Sequence, residues 1–240
     1  MAQKPTNTRP GGRQKTVRVK TANKRSQSST RWLERHLNDP YVAEAQKRGF
    51  RSRAAFKLLQ LDEKFHLLAP GQRVVDLGAA PGGWTQVAVE RVRPEETGGQ
   101  VVGLDILPMD PLPHATTMQA DFLEEGVDER LKAVLGGPAN LVLSDMAANT
   151  TGHQQTDHLR IMALAEAAYA FAEEVLAPGG AFVCKVFQGG AERDLLAKLK
   201  QDFATVRHAK PAASRADSSE TYLVATGFRG STRRDGDEER

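Results

Sequence analysis

The spacing of apolar side chains changes along this chain, and the changes divide it. Residues 1–30 are nearly bare of apolar positions and rich in Lys, Arg, Thr, Ser, Gln and Gly. Such a segment buries too little surface to offset its ordering entropy, so it predicts a basic, disordered arm. Asp39, Pro40 and Gly49 are then placed as cap, first position and stop of a short helix ending at Arg48. After Ser52, the positions Ala55, Leu58, Leu59 and Leu61 predict a second helix to about Phe65, with Ser52 as its cap.

From Arg73 the pattern becomes short β-branched runs alternating with longer helical stretches. It predicts strands over 73–77, 101–106, 116–119, 141–144, 181–187, 205–208 and 222–226. Helices are predicted over 84–91, 128–135, 156–176 and 192–203, the third stopped by Ala177-Pro178-Gly179-Gly180. Strands alternating with helices mean an α/β fold, a mainly parallel seven-stranded sheet with helices on both faces. There is no internal repeat. The expected organisation is the arm, a body over 31–228 whose first part (31–66) is helical, and a disordered tail over 229–240.

Composition fits that picture: 240 residues, 40% hydrophobic, suit one sizeable domain. Charge adds something new. Residues 1–60 hold fifteen basic and three acidic side chains, whereas the remainder holds 18 basic and 27 acidic. A front at +12 on a body at −9 points to a polyanion partner bound through the front of the chain. Trp32, Tyr41 and Phe50 interleave with these basic residues, placed either to stack on bases or to anchor a core. No apolar run reaches the roughly 18–20 residues of a membrane span, and the basic N-terminus has no apolar core behind it. A single cysteine, Cys184, excludes an internal disulfide and a Cys-rich metal site. The expectation is a cytoplasmic protein that neither enters nor binds a membrane. The six histidines form no ligand-like cluster, so no metal is expected.

In open α/β sheets ligands bind outside the carboxyl ends of the strands, so residues just past strand ends carry the chemistry. Asp76 ends the first strand, and Gly78, Gly82 and Gly83 make a tight turn that lets a nucleotide-like ligand approach the backbone. Asp105 ends the second strand, placed to accept from both hydroxyls of a ribose. Asp121 follows the third, within reach of an exocyclic amine. Lys185 lies in Phe182-Val183-Cys184-Lys185-Val186-Phe187, an apolar strand where a lysine is costly unless paired or used. Alternation puts Val183, Lys185 and Phe187 on one face and Cys184 on the other. Asp145 ends the neighbouring strand, so the two charges should meet. A nicotinamide-dependent oxidoreductase shares the Gly-rich turn and the later acid, but explains neither the basic front nor Lys185.

Asp76-Leu77-Gly78-Ala79-Ala80-Pro81-Gly82-Gly83-Trp84 resembles the first motif of the FtsJ/RrmJ-type (RlmE-like) ribosomal RNA large subunit ribose 2′-O-methyltransferases. Further matches lie at Leu107–Asp110, Ser144–Ala147, Lys185–Gly189 and from Lys210 to Gly227, so the resemblance spans about residues 31–228. It implies a Rossmann-like, S-adenosylmethionine-dependent methyltransferase fold and a catalytic Lys57, Asp145, Lys185 and Glu220. It also implies cofactor contacts at Gly82, Trp84, Asp105, Asp121 and Asp145, and no metal. The implied reaction is 2′-O-methylation of a ribose, a uridine, in 23S ribosomal RNA of the large subunit by a monomeric enzyme. A tRNA substrate and a non-catalytic ribosome-assembly factor are the alternatives. One departure is Ala148, where the family usually has Pro. On this reading Lys185 acts on the ribose hydroxyl either as a neutral base or as an ammonium. Lys57 and Asp145 push its protonation in opposite directions, which the sequence does not rank. Glu220 orients a lysine or the ribose, and the basic segment 31–57 faces phosphates, with the arm adding non-specific affinity.

Overall fold

The computed structural model describes residues 26–148, 151–187 and 192–230. Three helices lead: α1 (Gln27–Leu37), α2 (Pro40–Arg48) and α3 (Ala55–Phe65). α2 is built as its residues dictate, with the Asp39 carboxylate accepting from Tyr41 N and Gly49 ending it at φ 74°. α1 starts inside the segment assigned to the arm, because the Ser26 side chain accepts from Ser29 N and supplies a cap. Residues 1–25 and 231–240, to which most of the arm and tail belong, lie outside the described residues.

Then follow β1 (Arg73–Leu77), α4 (Gly83–Val92), the short α5 (Pro94–Thr97), β2 (Gln100–Asp105), β3 (Thr116–Gln119), α6 (Val127–Leu135) and β4 (Ala139–Ser144). The chain continues through α7 (Gln154–Val175), β5 (Leu176–Phe187), α8 (Arg193–Asp202), β6 (Phe203–Ala209) and β7 (Glu220–Phe228). The sheet order is β3-β2-β1-β4-β5-β7-β6. β7 alone runs antiparallel, against both neighbours.

Alternation along the strands feeds two cores. Val75, Leu77, Val102, Phe182, Cys184 and Val186 pack with α6, α7 and α8, and Val74, Val101, Leu141, Leu143 and Val183 pack with α2, α3 and α4. α4 therefore crosses one face between β1 and β2, while α7 crosses the other between β4 and β5. The direction of winding reverses between β1 and β4, which opens a crevice at their carboxyl ends. α7 ends at Val175, just ahead of Ala177-Pro178-Gly179-Gly180, as expected, but the strand begins earlier than 181. These residues belong to β5 as a bulge, since the register with β4 jumps from the Ala139–Leu176 pair to the Leu141–Ala181 pair.

Candidate active site

Asp145 follows β4, and its N–H donates to Leu77 O of β1 at 3.1 Å. That bond ties the start of the loop after β4 to the end of β1. Lys185 Nζ donates to Asp145 Oδ1 at 3.1 Å and to Asp145 O at 2.6 Å. β7 reaches the same edge because it is antiparallel: its first residue, Glu220, pairs with the last residue of β5, Phe187, and Tyr222 pairs with Lys185. From α3, Lys57 completes the group, with Nζ 2.8 Å from Glu220 Oε1 and 3.8 Å from Asp145 Oδ2. All four residues expected from the resemblance thus meet in one cluster.

The cluster is self-neutralising, two ammonium groups against two carboxylates. Lys57 and Lys185 are each 7% exposed, a burial tolerable only for paired charges. Burial opposes ionisation of Asp145, but Lys185, Lys57 and the Tyr222 hydroxyl outweigh it and hold the carboxyl below its ordinary range.

Tyr222 falls within the last stretch that resembles the family, with no role assigned to it there, yet its hydroxyl is the hub. It donates to Asp145 Oδ1 at 2.8 Å, or alternatively to Glu220 Oε1 at 3.2 Å, and accepts from Lys57 Nζ at 3.1 Å. Burial and the two adjacent carboxylates push its pKa well above the ordinary tyrosine value, so it serves as a neutral donor. Ser214 Oγ supports Glu220 in turn, donating to Glu220 Oε1 at 2.9 Å. The signal for Tyr222 was period two: Glu220 and Tyr222 share one face of β7.

The Gly-rich turn abuts this cluster. Gly78 has φ 78°, and a Cβ there would stand 2.8 Å from Met146 Cα, so the turn after β1 and the loop after β4 touch backbone to backbone. Asp105 accepts from Ala80 N at 2.9 Å and from Leu107 N at 2.8 Å. It therefore shapes the turn as well as ending β2. Asp121 accepts from Leu123 N at 3.0 Å beyond β3. Gly82, at φ 109°, is the residue before α4. Asp76 is fully buried; Thr85 Oγ1 donates to its Oδ2 at 2.7 Å, while Oδ1 has no partner among the described residues. Burial raises its pKa to about 7, with Asp145 and Asp105 adding to the effect and the Thr85 bond opposing it.

Several expectations change here. The Trp84 side chain lies in the core, its indole N–H donating to Ala54 O at 2.8 Å. Only its backbone amide, in the first turn of α4, remains available to a ligand. Ser52 does not cap α3. A turn over 52–54 delays the helix to Ala55, and Ser52 Oγ is buried without a partner among the described residues, where any Cβ on Gly83 would collide with it. Tyr41 and Phe50 are core anchors, both packed on Phe56 at 5.3 and 5.6 Å between ring centres, while the Trp32 side chain lies outside the described residues. The basic front is also partly consumed by the protein itself. Arg53 Nε pairs with Asp39 at 2.7 Å, Arg48 with Glu44 at 2.8 Å, and Arg51 donates to backbone carbonyls. The expected match at Gln188-Gly189 lies outside the described residues.

The site has what a nucleoside-bearing cofactor needs. The amides of Gly83 and Trp84 precede the first intrahelical bond of α4, Gln86 N to Gly82 O; acids end β2 and follow β3, and the large apolar side chains Ile106, Leu107 and Leu123 are exposed beside those acids.

A family model described as FtsJ-like methyltransferase matches residues 50–228. Ribosomal RNA large subunit methyltransferase E of Paramagnetospirillum magneticum is 67% identical over 225 residues, covering 92% of each chain. The protein of the same name from Parvibaculum lavamentivorans is 62% identical over 227 residues, covering 92% of this chain and 89% of its own. Among solved structures, a Plasmodium falciparum protein described as a ribosomal RNA methyltransferase is 32% identical. It superposes with a TM-score of 0.67 over 75% of this chain and 100% of its own.

Proposed function

Because the chain belongs to the FtsJ-like methyltransferase family, we propose that it methylates a ribose 2′-hydroxyl in 23S RNA of the large ribosomal subunit, the acceptor being a uridine. One observation carries the reading: a buried, charge-balanced Lys57-Asp145-Lys185-Glu220 cluster sits at the sheet's switch point, in backbone contact with the Gly-rich turn. The names of relatives at 62–67% identity support the ribosomal substrate.

S-adenosylmethionine, when bound, supplies an electrophilic methyl group. In our reading the backbone at Gly82 and the amide of Trp84 line its site, Asp105 takes the ribose hydroxyls, and Asp121 takes the adenine amine. Asp145 borders both halves. The chain's remaining task is to orient the RNA hydroxyl and manage its proton. The Lys185 ammonium gives two donors to Asp145, which leaves one for the 2′-oxygen. Paired with the Asp145 carboxylate, the Lys185 ammonium stabilises negative charge on the 2′-oxygen as it takes the methyl group; the hydroxyl proton passes to solvent water and S-adenosylhomocysteine is left as the second product. Lys57 and Glu220, tied through Tyr222, hold Asp145 in place.

We place no metal in this reaction. Among the described residues the acids close enough to share a cation, Asp128, Glu129 and Glu174, surround Lys132, whose ammonium fills that position. We also take the enzyme to be a monomer of the cytoplasm; among the described residues no helix is long and apolar enough to cross a membrane.

The test is incubation with methyl-labelled S-adenosylmethionine and, separately, large subunits, naked ribosomal RNA and tRNA, followed by nucleoside analysis. The reading expects label in 2′-O-methyluridine from ribosomal RNA. Label confined to tRNA moves the substrate, and RNA binding without transfer to any substrate favours an assembly factor.

A further inference from the structure

We propose that Arg51 is a positioning residue of the cofactor site: its guanidinium fastens the loop after β2 to the Gly82 turn and so sets cofactor affinity, rather than binding RNA phosphate. The proposal rests on the methyltransferase reading above.

By sequence Arg51 is one of the basic residues of the front. The structure commits its side chain elsewhere. Nη1 donates to Asp110 O at 2.6 Å and, more weakly, to Pro81 O at 3.4 Å, and Nη2 donates to Pro111 O at 2.7 Å. Three of the five guanidinium donors are thus spent on two loops. The base of the side chain is fixed from α4: Arg51 N donates to Gln86 Oε1 at 2.7 Å, and Gln86 Nε2 donates to Gly49 O at 3.1 Å. A Cβ on Gly82 would stand 3.0 Å from Arg51 Nη1 and 3.1 Å from Met109 Sδ, so arginine, glycine and methionine are stacked in contact.

Two ties therefore cross between the turn at 79–83 and the loop at 105–111. Asp105 makes the inner one through Ala80 N and Leu107 N; Arg51 makes the outer one. The inner tie fixes the acid proposed for the ribose, and the outer one fixes the wall beside it. Arg51 itself need not touch the cofactor. Only a planar fork spans two loops in this way, since a lysine presents its donors from a single point.

S-adenosylhomocysteine binding by calorimetry and affinity for naked large-subunit RNA across a salt series are measured for wild type, Arg51→Ala, Arg51→Lys and Lys47→Ala. Lys47 is exposed on α2 and serves as the phosphate-contact comparison. Arg51→Ala should weaken S-adenosylhomocysteine about tenfold or more, as expected for losing charge-assisted hydrogen bonds. Its salt slope for RNA should match wild type. Arg51→Lys, which keeps the charge, should recover part of the cofactor affinity, and it carries the test if the alanine variant fails to fold. Wild-type cofactor affinity in a folded Arg51 variant, with a salt slope lowered by about one, overturns the proposal. If wild type binds no S-adenosylhomocysteine, the methyltransferase reading falls first and takes this proposal with it.

Discussion

Tyr222→Phe removes one oxygen from the centre of the charged cluster while leaving its ring in place. The lost hydroxyl donates to Asp145 Oδ1 and accepts from Lys57 Nζ, at 2.8 and 3.1 Å, in a position with no solvent exposure to replace it. A hydrogen bond to a charged group contributes about 1.5–3 kcal/mol, so kcat should fall by roughly ten- to a hundredfold if the cluster's geometry is used in the transition state. The variant should also move the pH profile. The Tyr222 hydrogen bond helps hold Asp145 below its ordinary range. Without it the carboxyl protonates at higher pH, loses its grip on Lys185, and shifts the acid limb of activity upward. The assay is methyl transfer at saturating cofactor across a pH series that runs from the ordinary carboxylate range, about pH 4 and below, up to neutrality, with S-adenosylhomocysteine affinity as the control that should not move. A kcat within twofold of wild type together with an unshifted acid limb would refute the role given to this hydroxyl.

Other variants probe the turn, the supports and the buried acid. Gly78→Ala places a methyl group 2.8 Å from Met146 Cα at φ 78°. It should cost roughly 1–3 kcal/mol or more in urea unfolding and weaken S-adenosylhomocysteine; full stability would mean that the two loops separate freely. Arg53→Ala removes the closer partner of buried Asp39 and the donor to Ala213 O, next to the serine that holds Glu220. A loss of about 1–3 kcal/mol and a lower kcat with unchanged cofactor affinity are expected, and unchanged kcat would detach Arg53 from the site. Asp76, with its pKa raised to about 7 by burial, holds its proton in the folded state at pH values where the unfolded chain has lost it. Its contribution is full below about pH 4 and is lost as pH rises through about 7. Asp76→Asn should flatten stability against pH across that window, and an unaltered curve would mean the acid is ionised when folded.

Much of the fold was legible because local signals agreed with it. Asp39, Pro40 and Gly49 bounded α2 unaided, and alternation in 182–187 placed Lys185 and Cys184 on opposite faces. Where the sequence misled, tertiary contacts had overruled a local preference. Ser52 sits where a cap belongs, but its hydroxyl packs against Gly83 instead of turning to the helix. The Pro/Gly run at 177–180 does follow the end of α7, but the strand predicted from 181 already starts at Leu176, because pairing with β4 absorbs the run as a bulge. Arg51 and Arg53 counted as free positive charge until their partners, the carbonyls of 110–111 and Asp39, came into view. The role of Tyr222 was missed for a different reason: a tyrosine on a buried strand looks like core until the strand's direction shows which groups its hydroxyl meets.

The central claim is that the lysine–carboxylate cluster performs the transfer beside the Gly-rich turn. Single-turnover methyl transfer to ribosomal RNA by Lys185→Ala, at RNA and S-adenosylmethionine concentrations shown by binding to be saturating, tests it most directly. A fall on the order of 10²–10⁴-fold with both affinities retained is the predicted result. Near-normal turnover would contradict the account and put the chemistry elsewhere in the chain.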